Sequence, residues 1–209
     1  MEYAEVARKR RAVNFFDPSK PVSEELLREV VELAALAPSG FNLQPWNIMV
    51  LRDQEEKMRL RKLAWDQPKI TDAPVVCIIL GDMAGWREGN PGLERNISEM
   101  MASEGMKPEQ REGLLGTLTA LYGPNEKTEL AFAVKNASFF GMSLMYSAVN
   151  HGLDCHPMDG FDHDGVKKAF NIPANYWVPM ILAIGHFDTS KELLPPKWRK
   201  TYDDMVVTF

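Results

Sequence analysis

The stretch KTELAFAVKNASFFGMSLMYSAVN, Lys127 to Asn150, decides how the rest of the chain must be arranged. Leu130, Phe132, Val134, Ala137, Phe140, Met142, Leu144, Met145 and Ala148 run nearly all round a helix, not along one stripe. A helix apolar on most sides is buried on most sides, so the remaining elements have to wrap it. Gly152 is placed to end it, because glycine takes up the left-handed conformation that follows a helix C-terminus at little cost.

Working outward, three runs read as strands. Val75 to Gly81 is apolar at almost every position, as expected of a strand covered on both faces. Val178 to Gly185 has the same character, and Trp46 to Leu51 is a third strand. Ser23 reads as a helix N-cap, with Glu24 and Glu25 in the first turn and Val22 stapled to Leu27. That helix is expected to run toward Pro38, which disfavours helical geometry in the residue before it. Glu55 to Trp65 reads as a charged amphipathic helix. Asp162 caps another, reaching about Phe170, and Tyr3 to Arg11 forms a short one that leads into an extended piece, Ala12 to Phe16. Between Asp82 and Asn125 the pattern is looser, with two helical pieces, Leu93 to Ser103 and Pro108 to Leu121. The tail, Leu193 to Phe209, closes on a strand-like Met205-Val206-Val207. No repeat, long linker or low-complexity tract interrupts the chain. The expectation is one α+β domain over residues 1–209, with 82–125 as a variable lid.

Composition narrows the function. Hydrophobic residues make up 45% and charged residues 25% of 209 positions, enough to bury a real core. A net charge of −5 gives no general attraction to nucleic acid or an anionic membrane. No 18-residue apolar run suggests a membrane span, and the N-terminus has no apolar core of signal-peptide length. The expected setting is therefore the cytoplasm. Cys77 lies inside Val75-Val76-Cys77-Ile78-Ile79-Leu80 and reads as a buried hydrophobe. The two cysteines and four histidines have no metal-ligand spacing, so no metal is expected. Phosphate-loop, dinucleotide, metalloprotease and serine-hydrolase signatures are missing, so no protein nucleophile is expected either.

What remains is cationic punctuation at the two ends. Arg10 and Arg11 precede Ala12-Val13-Asn14. Lys197 and Arg199 follow the double proline Pro195-Pro196. Each pair alone reads as a solvated basic end. Together they suit one phosphate, since guanidinium forks grip phosphate oxygens in pairs and lysine adds a point charge.

At this point four motifs, in order along nearly the whole chain, resemble the FMN-dependent nitroreductase family. They are Arg10-Arg11-Ala12-Val13-Asn14-Phe15-Phe16-Asp17, Ala37-Pro38-Ser39-Gly40-Phe41-Asn42-Leu43-Gln44-Pro45-Trp46, His156-Pro157-Met158-Asp159-Gly160-Phe161-Asp162, and Lys197-Trp198-Arg199. The resemblance implies a three-layer fold with a central, mostly antiparallel sheet flanked by helices, in an intertwined homodimer with FMN at the interface. It implies that Arg10, Arg11, Lys197 and Arg199 meet the FMN phosphate and ribityl chain, with Ala12 beside them. Asn14, Gln67 and Lys69 would line the pyrimidine edge of the ring. Pro157, Met158, Asp159 and Gly160 would pass behind it, with the backbone N–H groups of Asp159 and Gly160 directed at N5 and O4. Pro38, Ser39, Gly40 and Asn42 would come from the other subunit. Glycine at 40 and 160 is expected to let the backbone approach a flat ring without a Cβ in the way.

Catalysis would then belong to the flavin, fed by NADH or NADPH, with no catalytic side chain. Phe41, Trp86 and Tyr122 are candidate substrate-stacking residues. Three positions depart from the family's usual pattern: Asn14 for a cation, Ala12 for serine, and Asp159 for glutamate. Three readings follow: a reductase of nitroaromatics, quinones or similar acceptors working by a ping-pong mechanism, a variant doing reductive dehalogenation or enone reduction, and a flavin-binding protein without turnover.

Overall fold

The computed structural model describes residues 2–208. Its centre is one four-stranded sheet made of β1 (Trp46–Leu51), β2 (Val75–Asp82), β3 (Asp154–Met158) and β4 (Tyr176–Gly185), in the order β1-β2-β4-β3. Every neighbouring pair in it is antiparallel. A single parallel bridge joins Ala12 to Cys155 at the β3 edge, and Phe16 bridges Phe187 in the antiparallel sense. The N-terminal extended piece is thereby tied to the strand that carries the third motif.

The continuous apolar runs have a simple explanation, because alternate side chains serve two separate cores. Val76, Ile78 and Leu80 of β2 face one way, with Ile181 and Ala183 of β4 and Met158 of β3. Val75, Cys77 and Ile79 face the other way, with Leu182, Ile184 and Cys155. The first core is covered by α3 (Gln54–Leu63), α4 (Lys69–Asp72) and α8 (His163–Ala169). The second is covered by α2 (Glu24–Ala34) and α7 (Glu126–Asn150). Helices on both faces of an antiparallel sheet give the three layers.

α7 is the longest helix, and it buries Phe132, Ala133, Asn136, Ala137, Phe140, Gly141, Leu144 and Ala148. Asn125 caps its start by accepting from Lys127 N and Thr128 N. At its end Gly152 sits at φ +78°. There Gly152 N donates to Val149 O at 3.0 Å and Leu153 N to Ala148 O at 2.9 Å, the paired bonds that close a helix on a left-handed glycine. The other caps form as the sequence suggests. Ser23 Oγ accepts from Leu26 N, and Asp162 accepts from Gly165 N. α2 nevertheless stops at Ala34, short of Pro38.

Residues 82–125 form α5 (Pro91–Ala102), a 3-10 turn at Pro108–Gln110 and α6 (Arg111–Tyr122), with α6 packed against α7. They build their own apolar cluster from Trp86, Leu93, Ile97, Met106 and Leu118, to which Leu43 and Phe132 contribute from outside. A short α1 (Tyr3–Lys9) packs on α7.

Two expectations need correction. The third motif resembles the family's proline–acid–glycine turn, but its His156-Pro157-Met158 is the end of strand β3, and the turn begins at Asp159. Strand β3 is only five residues long and contains a proline, which hides it from pattern reading. Met205-Val206-Val207 is not a strand. Thr201 and Asp204 form a capping box that starts a one-turn helix, α9 (Tyr202–Met205), and no sheet edge of the same chain reaches Val206 and Val207. Phe209, the last residue of the expected tail, lies outside the described residues.

Candidate functional site

The chain's two ends meet. Arg10, Arg11, Ala12 and Asn14 line one cleft of about 480 Å³ with Lys197, Arg199, Glu192, Leu193, Leu194 and Pro195. The bridge of Ala12 to Cys155 fixes the first wall. The tail forms the second, and the Arg11 guanidinium donates to Leu194 O. Arg199 meanwhile donates to the backbone oxygens of Lys197 (3.2 Å) and Trp198 (2.9 Å). The cleft thus gathers three arginines and a lysine, whose charged side chains only donate hydrogen bonds.

Phe15, Phe187 and His156 also line this cleft. His156 was missed as a site residue, although it stands directly before the Pro157 motif. Its Nδ1 lies 2.9 Å from Val13 O. Since a carbonyl only accepts, Nδ1 carries the hydrogen. Burial, then the Lys69 charge, hold the His156 imidazole below the usual histidine range.

Lys69 leads from there to a second group. Its Nζ donates to Gln67 Oε1 at 3.3 Å, and Gln67 Nε2 donates to Gly160 O at 3.0 Å and Ala64 O at 3.1 Å. Gln67, Lys69 and the Asp159-Gly160 turn are therefore held together, with burial lowering the Lys69 ammonium from its ordinary value. Under α4, the buried Lys57 donates to Ala73 O at 2.8 Å and Thr71 O at 3.3 Å, so that the carbonyls at the helix's end are satisfied. Burial holds this lysine below its ordinary range too.

Gly160 lies against an aromatic ring of its own chain. A Cβ there would stand 2.6 Å from the Trp65 ring of the same chain. Trp65 and Asp66 both adopt positive φ, +52° each, which carries the exposed indole back across the turn. Gly40 is similar, since its Cβ would stand 2.5 Å from the Tyr122 hydroxyl. The flat rings against these two glycines belong to the protein itself.

The Pro38–Asn42 segment does not join the cationic cleft of its own chain. Pro38 lines an apolar groove with Tyr3, Leu33, Leu36, Phe139 and Tyr146. Ser39 Oγ accepts from Gln44 N at 2.9 Å, and Gly40 N donates to Asn136 Oδ1 at 3.1 Å. Asn42 Nδ2 donates to Asn96 Oδ1 at 3.2 Å, and Asn96 Nδ2 to Phe41 O at 2.9 Å. Phe41, Asn42 and Gln44 all have positive φ, from +46° to +54°. Such backbone is costly outside glycine and persists only where its surroundings enforce it. Here α5 and α7 enforce it.

Of the aromatic candidates, Phe41 is exposed and Tyr122 half-buried, with their rings edge-to-face at 6.4 Å. Trp86 is only 8% exposed and belongs to the core of residues 82–125, so its ring is occupied in packing. The root of that segment is Asp82, a buried carboxylate. It accepts from Ala84 N (2.9 Å), Asn175 Nδ2 (2.8 Å) and Asn90 Nδ2 (2.9 Å), and Asn90 in turn caps α5.

Neither thiol is suited to chemistry. Burial pushes Cys77 and Cys155 up to about 12, far from the thiolate a nucleophile needs. Among the described residues, no group of three or more His, Cys, Asp or Glu is placed to hold a metal. Among them too, no helix is long and apolar enough to cross a membrane.

A three-layer antiparallel α+β fold whose two ends meet in a cation-lined cleft has the donor set to hold a phosphorylated small molecule. The profile "Nitroreductase family" matches residues 7–186. MhqN of Bacillus subtilis (strain 168), provisionally named an NAD(P)H nitroreductase, is 31% identical over 207 residues, covering 98% of each chain. The crystal structure of YdfN from Bacillus subtilis, a provisional nitroreductase, superimposes with a TM-score of 0.90 at 28% identity, covering 99% of this chain and 98% of that one. A provisional nitroreductase of Exiguobacterium sibiricum, solved in complex with FMN, gives 0.82 at 25% identity over 99% and 96% of the two chains. The chain belongs to the nitroreductase family and is an FMN oxidoreductase.

Proposed function

We propose that this enzyme uses NADH or NADPH to reduce small electron acceptors, nitroaromatics and quinones among them, as a homodimer with FMN at the subunit interface. The observation that carries the reading is the cation cleft, in which Arg10 and Arg11 meet Lys197 and Arg199 across the whole length of the chain. Four donors of this kind fit a phosphomonoester. Asn14, Glu192 and His156 offer acceptors beside them, so the donor set fits FMN. When bound, FMN supplies the two-electron carrier that the side chains lack.

The chain's own residues bind and orient. Arg10, Arg11, Lys197 and Arg199 hold the phosphate, with Ala12 leaving room beside it. Asn14, Gln67 and Lys69 line the pyrimidine edge, where the Lys69 ammonium offsets negative charge. Pro157, Met158, Asp159 and Gly160 form the wall behind the ring, with the Gly160 carbonyl already fixed by Gln67. The groove beside Pro38 supports the second subunit's role. It is apolar, Leu36 lining it is 80% exposed, and its residue Pro38 stands next to Ser39-Gly40-Phe41-Asn42 in the chain. The tail from Leu193 to Val207 likewise shows Leu194, Trp198, Tyr202, Met205, Val206 and Val207 to solvent. A single chain leaves that apolar surface bare, and a partner covers it.

Steady-state kinetics test the proposal. Donor and acceptor that take turns in one site give parallel double-reciprocal lines when a quinone or nitroaromatic is varied at several fixed NADPH or NADH levels. Intersecting lines contradict the shared site. The absence of turnover with every acceptor tried contradicts the reductase reading.

A further inference from the structure

Resting on that flavin reading, we propose that His156 is a further cofactor-binding residue, whose Nε2 accepts a hydrogen bond from a ribityl hydroxyl of FMN. The tautomer is set by geometry: Nδ1 must donate to Val13 O, 2.9 Å away, which leaves the lone pair on Nε2. Among the described residues Nε2 has no hydrogen-bond partner, while His156 lines the cation cleft. Its position is firm, because Val13 is fully buried and its N–H is bonded to Cys155 O at 3.2 Å. Strand β3 holds His156 from the other side, in register with Ala183 of β4.

The surrounding charges favour the neutral ring. Arg10, Arg11, Lys197 and Arg199 share the cleft, and Lys69 acts on the imidazole from α4. Glu192 is the one carboxylate lining the cleft. A neutral acceptor in this position gains nothing from a phosphate dianion, which has no hydrogen to give. A hydroxyl next to that phosphate does have one, and arginine and lysine cannot accept it. Of the acceptors lining the cleft, Asn14 and Glu192 are exposed, whereas His156 is half-buried and pinned. The combination of fixed cations and one fixed neutral acceptor matches a phosphorylated polyol.

The test compares three flavins that differ only in the side chain: FMN, riboflavin without the phosphate, and lumiflavin without the ribityl hydroxyls. Each is titrated into flavin-stripped protein and followed by flavin fluorescence. His156→Leu removes the acceptor. His156→Asn keeps a donor for Val13 O but has no acceptor at the Nε2 position, so it serves if the leucine variant folds poorly. Both substitutions should weaken FMN and riboflavin by about 2- to 13-fold, the range of one neutral hydrogen bond. Lumiflavin should change less than twofold. Unchanged FMN and riboflavin affinity in a folded variant overturns the inference, as does equal weakening of all three flavins. If Arg199→Ala weakens FMN while both His156 variants leave it alone, only this inference falls. If the wild-type protein binds none of the three, the flavin reading falls with it.

Discussion

Arg199 and Lys197 are the residues whose meaning changes most between sequence and structure. In the sequence they read alone as a solvated basic end, and only their combination with Arg10 and Arg11 suggests a phosphate site. In the fold they face Arg10 and Arg11 across one cleft. Arg199→Ala should weaken FMN binding by about 10- to 150-fold, the loss of a charge-assisted hydrogen bond to phosphate. Arg199→Lys should recover part of it, since the charge remains but the planar fork does not. Riboflavin affinity should stay nearly constant in both variants, and equilibrium titration measures all of these. His156 shows what single-residue reading misses. Its partner Val13 is 143 positions away, and no local pattern announces a hydrogen bond of that kind. The glycines teach the opposite lesson. Their positions were legible, but the rings they accommodate, Tyr122 and Trp65, became visible only in three dimensions.

At the scale of elements, caps and strands were legible because each rests on local chemistry. Ser23, Asp162 and Gly152 end or start helices by bonds within a few residues. Strand β3 and the tail depend on what lies alongside, which sequence periodicity does not carry. The junction of α8 with β4 gives a pH prediction. His163 Nε2 accepts from Val178 N at 3.1 Å, and its ring lies 3.8 Å from that of Trp177. Burial, the leading cause, holds the His163 pKa below its ordinary value, and the same is true of His156. In the unfolded chain both histidines bind a proton near pH 6.5, before the folded chain does. The unfolded state then holds more protons, so stability falls as pH drops from about 6.5 toward the depressed folded values. Carboxylates contribute only lower, near pH 4.5 and below. The urea midpoint should therefore be lower at pH 5.5 than at pH 7.5. His163→Gln, which keeps an acceptor for Val178 N without a titrating ring, should reduce that difference. An unchanged difference would show that His163 does not contribute.

At the scale of the molecule, the apolar girth of α7 was legible as a buried central helix, whereas the three layers were expected only from the family resemblance. The helix's surplus of apolar faces also pointed to a partner. Phe139 of α7 and Leu36, just after α2, stand exposed in the groove beside Pro38. Light scattering of the purified protein should give twice the chain mass of 23.7 kDa. Leu36→Glu with Phe139→Glu should shift it toward the monomer and release flavin, because the Pro38–Asn42 segment leaves with the partner. A flavin-loaded monomer would contradict the interface site. Residues 82–125 were legible as helices, but their chemistry was not, since their side chains mostly pack on one another.

The proposed function requires the four cations at the two ends of the chain to hold FMN in a site fed by a nicotinamide nucleotide. Anaerobic titration of the purified, FMN-reconstituted protein tests it most directly. The expected result is one FMN per chain, released intact by acid, and loss of the yellow absorbance on adding NADH or NADPH. Bound FAD, no flavin retained after reconstitution, or a colour that neither nucleotide discharges would contradict it.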